Sequence, residues 1–297
     1  MTDFDNALAT RRQRLVDLQA ELKQHGVRFM MVHLPDNNGQ LRTKITPVKL
    51  GAEGEGVNCN LFCVSPGEGA PIDMPIFEAA VSNEANGYPN MLALADPDSV
   101  RQHGWNPTWA SVIIDSFRRD GAVNPLDLRG QLRRQQERAL ALGYEPRFAV
   151  EYEFGVFHAD EELLQQRRYR ELKPWGQDHI NYSVSRSADQ QPFFAELIDR
   201  LASIDIGVSA VTTEYGRGMY EVALTPKLAL EAADDAARMK LVLQDFCQER
   251  GLIPTFMARF QKPGQESASG AHIHQSFWRD GRNVFADGKG AISDMAR

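Results

Sequence analysis

The sequence lacks the features of a nucleic-acid-binding or membrane protein. It has 33 Lys and Arg against 40 Asp and Glu in 297 residues, no basic run and a formal net charge of -7. The phosphate-neutralising surface that nucleic-acid binding requires is therefore missing. No apolar run reaches the roughly 20 residues that cross a bilayer, and the N-terminus has no apolar stretch of signal-peptide type. We expect a soluble, cytoplasmic protein that acts on a small molecule, with no nucleic-acid or membrane partner.

Cysteine is also scarce, with only Cys59, Cys63 and Cys247. An odd number of cysteines in a long chain favours reduced thiols over a disulfide framework. Cys59 and Cys63 have the spacing of metal ligands, but no second pair accompanies them. The cysteines therefore give little support to a metal site.

The length allows two domains, and the elements along the chain divide near residue 118. The first part, 1–118, is predicted to be a small, mostly β domain with long loops over 51–107. Its predicted elements are a helix over 4–25, a hairpin of strands 28–34 and 41–48 around the turn 36–39, and a strand over 110–117.

The second part, 119–297, alternates helices and strands, which predicts an α+β or α/β fold. Its predicted elements are helices over 124–142, 190–203 and 227–250, strands over 147–158, 219–224, 255–259 and 271–278, and a strand that leads into a turn over 208–218. Residues 291–297 look like the start of a helix, with Ser293 or Asp294 as N-cap. We therefore expect the chain to be a fragment of a longer fold.

The strand over 147–158 carries the first candidate functional residues. Alternation places apolar side chains on one face and Glu151 and Glu153 on the other, about 7 Å apart. A hard divalent cation such as Mg²⁺ or Mn²⁺ would relieve the repulsion between the two carboxylates. The plain alternative is an edge strand with a solvated polar face.

Two further segments carry metal-type residues. Gly216 and Gly218 allow a tight turn that could bring Glu214 and Glu221 to one site, although a hairpin with two exposed acids would look the same. The other segment is a loop of small residues that leads into a strand on which His272 and His274 point the same way. Imidazole can ligate a metal or contact a phosphate, and the alternative is a surface strand.

Together, these three motifs resemble glutamine synthetase and its glutamate–amine ligase relatives. The family shows a Glu-x-Glu strand, a turn with six residues between two glutamates, and a Gly-x-His-x-His-Gln-Ser strand. In this chain they are Glu151-Tyr-Glu153, Glu214 to Glu221, and 270–276. The resemblance covers essentially the whole chain and implies an α+β protein, with a small N-terminal β-grasp domain followed by a catalytic domain whose C-terminal part is missing.

The resemblance also implies an enzyme that uses ATP and two or more Mg²⁺ or Mn²⁺ ions. Glutamate would be phosphorylated on its γ-carboxylate, and ammonia or an organic amine would then attack the acyl phosphate. One ion would be held by Glu153, Glu214 and Glu221, and the other by Glu151 and His272. Substrate or ATP contacts would be made by His274, Ser276 and Tyr182. A homo-oligomeric ring of ten or twelve subunits is also implied.

Departures from the family pattern concern substrate recognition. Ser267-Ala268 stands where relatives have Asn-Gly, and 61–65 replaces an Asp-Gly-Ser-Ser loop whose aspartate helps to bind ammonium. The second change favours an organic amine. The family's nucleotide- and glutamate-binding arginines, its flap glutamate and its last metal ligand follow residue 297 in relatives, so no catalytic residue is assigned. We expect little or no ligase activity from this polypeptide alone.

Two other interpretations stay open. A catalytically inert relative could keep the fold for assembly or sensing, although it would have no chemical reason to keep five metal-type residues. A metal-dependent hydrolase would need a nucleophile or triad beside the histidine pair, and none is found.

Overall fold

The computed structural model of the chain describes residues 3–37, 39–49, 55–58, 84–87, 89–118, 121–122, 124–176, 181–183, 188–260 and 268–297. The chain divides into two compact units, Met1–Arg138 and Ala139–Arg297. The domain boundary near residue 118 stays a prediction. Cys59, Cys63, the segment 61–65 and Ser267 lie outside the described residues.

The first unit is built on a mixed sheet with the strand order β2-β1-β6-β4-β3, in which β5 also pairs with β6. Strands β1 and β6 are parallel, and the other pairs are antiparallel. The elements are α1 (Asp3–Gln24), β1 (Phe29–Pro35), β2 (Leu41–Pro47), β3 (Glu55–Asn58), β4 (Asn90–Ala95), β5 (Arg101–Gln102), β6 (Trp109–Phe117) and the start of α2 (Leu128–Ala141).

The predicted helix and hairpin of this unit are confirmed. Leu15 and Leu22 of α1 are buried against Met30 of β1 and Val112 of β6, so the apolar stripe of the helix faces the sheet. The β1–β2 turn contains Gly39 at φ +74°, a conformation that glycine adopts without strain.

The second unit is an antiparallel sheet with the order β13-β12-β7-β9-β8, and β10 and β11 also pair with β7. The elements are β7 (Glu145–His158), α3 (Glu161–Gln165), α4 (Gln191–Ala202), β8 (Val208–Thr213), β9 (Met219–Leu224), β10 (Lys227–Leu228), α5 (Ala229–Gln248), β11 (Leu252–Thr255), β12 (Ala271–Arg279) and β13 (Arg282–Asn283). An antiparallel sheet with helices packed against it fits the α+β class.

Strand β7 is the centre of this sheet, and its two faces differ as predicted. Val150, Phe154 and Val156 are buried, and Phe246 of α5 is buried in the same unit. Glu151 and Glu153 alternate with these side chains and therefore project from the other face. The packed helices lie on one side of the sheet, and the acidic residues lie on the other.

Three predicted boundaries are wrong. Helix α2 begins at Leu128 rather than at 124, because Asn124 and Asp127 form a turn and the Asp127 carboxylate accepts from the Gly130 N–H as a cap. The helix predicted from 227 begins at Ala229, since Lys227 and Leu228 pair with β7. The strand predicted over 255–259 is β11, which starts directly after the turn at Gly251.

Cys247 is a free, buried thiol, consistent with the expected reduced state. None of the helices in the described part of the chain is long and apolar enough to span a membrane.

Candidate metal centre

Strand pairing brings metal-type residues from three strands together. Glu153 of β7 lies opposite Glu221 of β9, while Glu151 lies opposite His272 of β12. Directly opposite residues of antiparallel strands share a face, so all four side chains project from the side of the sheet away from the helices. Residues distant in the sequence thus form one patch.

Glu151, Glu221 and His272 form the tightest group in this patch. One possible ligand atom of each lies within 4.8 Å of those of the other two. Atoms bound to one Mg²⁺ at about 2.1 Å lie within about 4.2 Å of each other, so small side-chain rotations would close the site. The two carboxylates are donors that suit Mg²⁺ or Mn²⁺, and the imidazole is a further candidate ligand beside them.

The two histidines both contact Glu151. His272 Nδ1 lies 3.5 Å from Glu151 Oε1, and His274 Nε2 lies 3.0 Å from Glu151 Oε2. Burial opposes the ionisation of Glu151, but hydrogen bonds with Glu221, His274 and His272 hold its pKa below the usual value. Glu151 is therefore an anionic centre with imidazoles on one side.

Glu221 behaves in the opposite way. Burial, a hydrogen bond with Glu151 and the charges of Glu151, Glu214 and Glu153 raise the pKa of Glu221 to about 7. A carboxylate that retains its proton near neutral pH indicates that negative charge is crowded there. Such a patch is stabilised when a cation enters it.

Glu214 extends the patch from the β8–β9 turn. Its N–H donates to the Met219 carbonyl at 2.9 Å, and the turn contains Gly216 and Gly218 with positive φ. Burial is the main cause of a raised pKa at Glu214, and the charges of Glu153 and Glu151 add to it. The turn thus brings Glu214 within electrostatic reach of the β7 glutamates and of Glu221.

The three predicted substrate residues differ in how they relate to this patch. Besides His274, Tyr182 approaches through its backbone, whose N–H donates to the Thr213 carbonyl beside Glu214, while its side chain is 70% exposed. Ser276 lies one alternation beyond His274 on β12, and its hydroxyl accepts from the Trp278 indole at 2.9 Å. Their roles stay predictions.

Sequence reasoning missed Thr212. Its hydroxyl donates to Glu221 Oε1 at 3.4 Å, and it lies opposite Glu221 in the β8–β9 register. A signal was present, because Thr212 lies two residues before Glu214 and alternation places both on one face.

Residues 125–297 match the family described as glutamine synthetase, catalytic domain. The chain is 28% identical over 290 residues to a γ-glutamylethanolamide synthetase of Streptomyces coelicolor, covering 95% of this chain and 60% of that protein. It is 29% identical over 214 residues to a glutamate–isopropylamine ligase of a Pseudomonas species, covering 71% and 46%.

A solved structure of GmaS in complex with ADP has a similar fold. The TM-score is 0.75 at 22% identity, and the match covers 94% of this chain and 60% of that one. This likeness concerns the fold. The chain spans about 60% or less of the length of these relatives.

Proposed function

This chain belongs to the glutamine synthetase family, and from that premise we propose that it forms part of an ATP-dependent ligase that joins glutamate to an amine through γ-glutamyl phosphate. The observation that carries the proposal is the cluster of Glu151, Glu221 and His272, with Glu153 and Glu214 beside it. Both reactants, glutamate and ATP, are anions. These anions can bind beside the acidic patch only if cations lie between the reactants and the carboxylates.

We assign the patch to two or more Mg²⁺ or Mn²⁺ ions. Glu153, Glu214 and Glu221 would hold one ion, and Glu151 and His272 the other. Glu221 lies opposite Glu153 and is grouped with Glu151, so it stands between the two sets. When bound, the ions would neutralise phosphate charge and stabilise the transferring phosphoryl group.

The protein residues would fix the position of that charge. Glu151 is oriented by two imidazoles, and Glu221 accepts from Thr212, so both carboxylates are held before any ion arrives. Such preorganisation avoids a reorganisation cost during phosphoryl transfer. His274, one alternation from His272, is assigned to the phosphate side, with Ser276 beyond it. Tyr182 is assigned to the amine side.

The amine is proposed to be organic. Relatives that match this chain are described as ligases for ethanolamine and isopropylamine. The segment 61–65 contains no aspartate, whereas the family resemblance implies one at this place in members that use ammonium. The loss of that carboxylate removes an ion-pair partner for a small ammonium ion. An organic amine gains affinity from apolar contacts instead.

Assembly belongs to the same proposal. The chain spans about 60% of the length of the γ-glutamylethanolamide synthetase that it matches. We propose a homo-oligomeric ring of ten or twelve subunits, in which the small domain of one subunit completes the site of its neighbour.

The test is phosphate release from ATP by the complete gene product with glutamate and a panel of ammonia, ethanolamine and isopropylamine. We expect release that depends on an amine and on Mg²⁺ or Mn²⁺. Glu221→Gln should abolish it, while Glu145→Gln, which removes a charge from the exposed start of β7, should not. If no amine supports release, the ligase proposal fails and a non-catalytic role for the fold is favoured.

A further inference from the structure

Gly270 immediately precedes β12, where the backbone passes beside the glutamate patch. Its carbonyl accepts from the Glu153 N–H at 3.1 Å, which fixes the loop against β7. Gly270 is not among the glycines with positive φ. Its backbone conformation therefore does not require glycine, and another reason must account for the missing side chain.

That reason is space beside two candidate ligands. A Cβ atom at position 270 would lie 2.8 Å from Glu153 Oε1 and 3.4 Å from His272 Cε1. A carbon–oxygen approach of 2.8 Å is shorter than van der Waals contact, so Glu153 would have to move. The atom in the way is the end of a flexible side chain, which can rotate into the open face of the sheet.

Gly155 of β7, the strand that carries Glu153, shows the contrasting case. A Cβ there would lie 2.7 Å from Cζ of the Phe260 ring and 3.1 Å from the Phe157 ring. Phe260 is buried, and aromatic rings in a close-packed interior have no free space to enter. Gly155 therefore serves packing, whereas the space left open by Gly270 is occupied by a carboxylate.

We propose that Gly270 is a positioning residue of the metal centre: its lack of a side chain allows the Glu153 carboxylate to lie beside His272, where both can face the bound ions. The inference rests on the proposed metal centre. Gly270 itself contacts no ion or substrate. It acts by leaving Glu153 and His272 in place.

The first experiment compares Gly270→Ala with the unchanged full chain by Mn²⁺ titration calorimetry and thermal melting. Disturbing residues that orient metal ligands costs about 10- to 100-fold in affinity, and we expect a loss of that size. The melting temperature of the metal-free variant should stay close to that of the unchanged chain. Gly155→Ala is the matched control and should melt lower without a change in Mn²⁺ affinity.

The second experiment asks whether Gly270 acts through Glu153. In a Glu153→Ala background the carboxylate that Cβ would displace is gone, so adding Gly270→Ala should weaken Mn²⁺ binding much less than it does alone. Full additivity of the two losses would overturn the proposal, as would equal affinity of Gly270→Ala and the unchanged chain. If the unchanged chain binds no Mn²⁺, the metal centre itself is refuted, and the role of Gly270 falls with it.

Discussion

The two units each gather carboxylates, but they neutralise them differently. In the first unit, Asp96 and Asp115 are only 4% and 2% exposed. Arg129, itself buried, pairs with both, and Arg133 and Arg11 add further ion pairs. Burial alone would raise the pKa of Asp96, but the charges and hydrogen bonds of Arg129 and Arg133 hold it well below its usual range.

In the second unit, the patch is Glu151, Glu153, Glu214 and Glu221, and within the described part of the chain none of these carboxylates forms an ion pair with Lys or Arg. Among the described residues, the basic partners recorded for them are the imidazoles of His272 and His274. The pKa of Glu221 consequently rises instead of falling. The comparison separates a cluster that the chain neutralises with its own arginines from one whose crowded carboxylates fit the proposed cation site.

The largest expected effect comes from breaking the first cluster. Arg129→Ala would leave two buried aspartates with fewer partners, and removing one member of a buried ion pair costs about 3–5 kcal/mol. Urea denaturation of the metal-free chain should show a loss of that size. Glu221→Gln should show no such loss under the same conditions, because it removes a repelled charge.

A loss below about 1 kcal/mol for Arg129→Ala, in the range of exposed ion pairs, would contradict the contrast. It would mean that Arg133 and Arg11 neutralise both aspartates without Arg129. Arg133→Ala measures the contribution of Arg133 separately. If Arg129 is the main partner of the two aspartates, Arg133→Ala should lower the free energy of unfolding by less than Arg129→Ala does, because the Arg133 side chain is 29% exposed.

The next effect concerns the second cluster and its cation. Glu221→Gln removes a candidate ligand and should weaken Mn²⁺ binding by at least tenfold, or about 1.4 kcal/mol. Calorimetric titration of the full chain measures this. Glu145→Gln, on the same strand but paired with Arg147, should bind Mn²⁺ as the unchanged chain does. Equal affinity of Glu221→Gln would remove Glu221 from the site.

The second cluster could be predicted from the sequence, and the first could not. Alternation along β7 places Glu151 and Glu153 together, and the order of the three motifs supplies Glu221 and His272. Which strands lie beside β7 is a long-range pairing that no local pattern reveals. The resemblance to a family supplied that information.

The aspartate–arginine cluster depends entirely on tertiary structure. Asp96 and Arg129 are 33 positions apart, and each looks like an ordinary surface charge in its own segment.

The predicted start of helix α2 was wrong for a local reason. The start of α2 was predicted from Pro125, whereas the Asp127 carboxylate provides the cap. The sequence itself holds this competing signal, because Asp127 precedes Gly130 by three residues.

A smaller effect should appear in the pH dependence of the metal-free chain. Glu221 has a pKa of about 7 when folded against 4.5 as reference, so the folded state binds the proton more tightly. Stability should therefore fall as pH rises between these values and then level off. Asp96 contributes no change there, since its lowered pKa affects stability only as pH falls below its usual range.

Thermal melting from pH 5 to pH 8 measures this fall, and Glu221→Gln isolates the contribution of the residue. The melting temperature of the variant should decrease less between pH 5 and pH 8 than that of the unchanged chain. Saturating Mn²⁺ should also make the decrease smaller in the unchanged chain, because metal binding displaces the proton. Identical profiles for the variant and the unchanged chain would show that Glu221 is not crowded by its neighbours.

The smallest effect tests whether burial, rather than ion pairing itself, gives the first cluster its importance. Arg14 and Asp98 form an ion pair at 2.5 Å, but their side chains are 52% and 69% exposed. Because water and salt screen such a pair, Arg14→Ala should lower the free energy of unfolding by less than about 1 kcal/mol. Urea denaturation at low salt and at 1 M NaCl should show the difference shrinking with salt, whereas that of Arg129→Ala persists. A loss at Arg14 as large as that at Arg129 would mean that distance between charges outweighs burial in this unit.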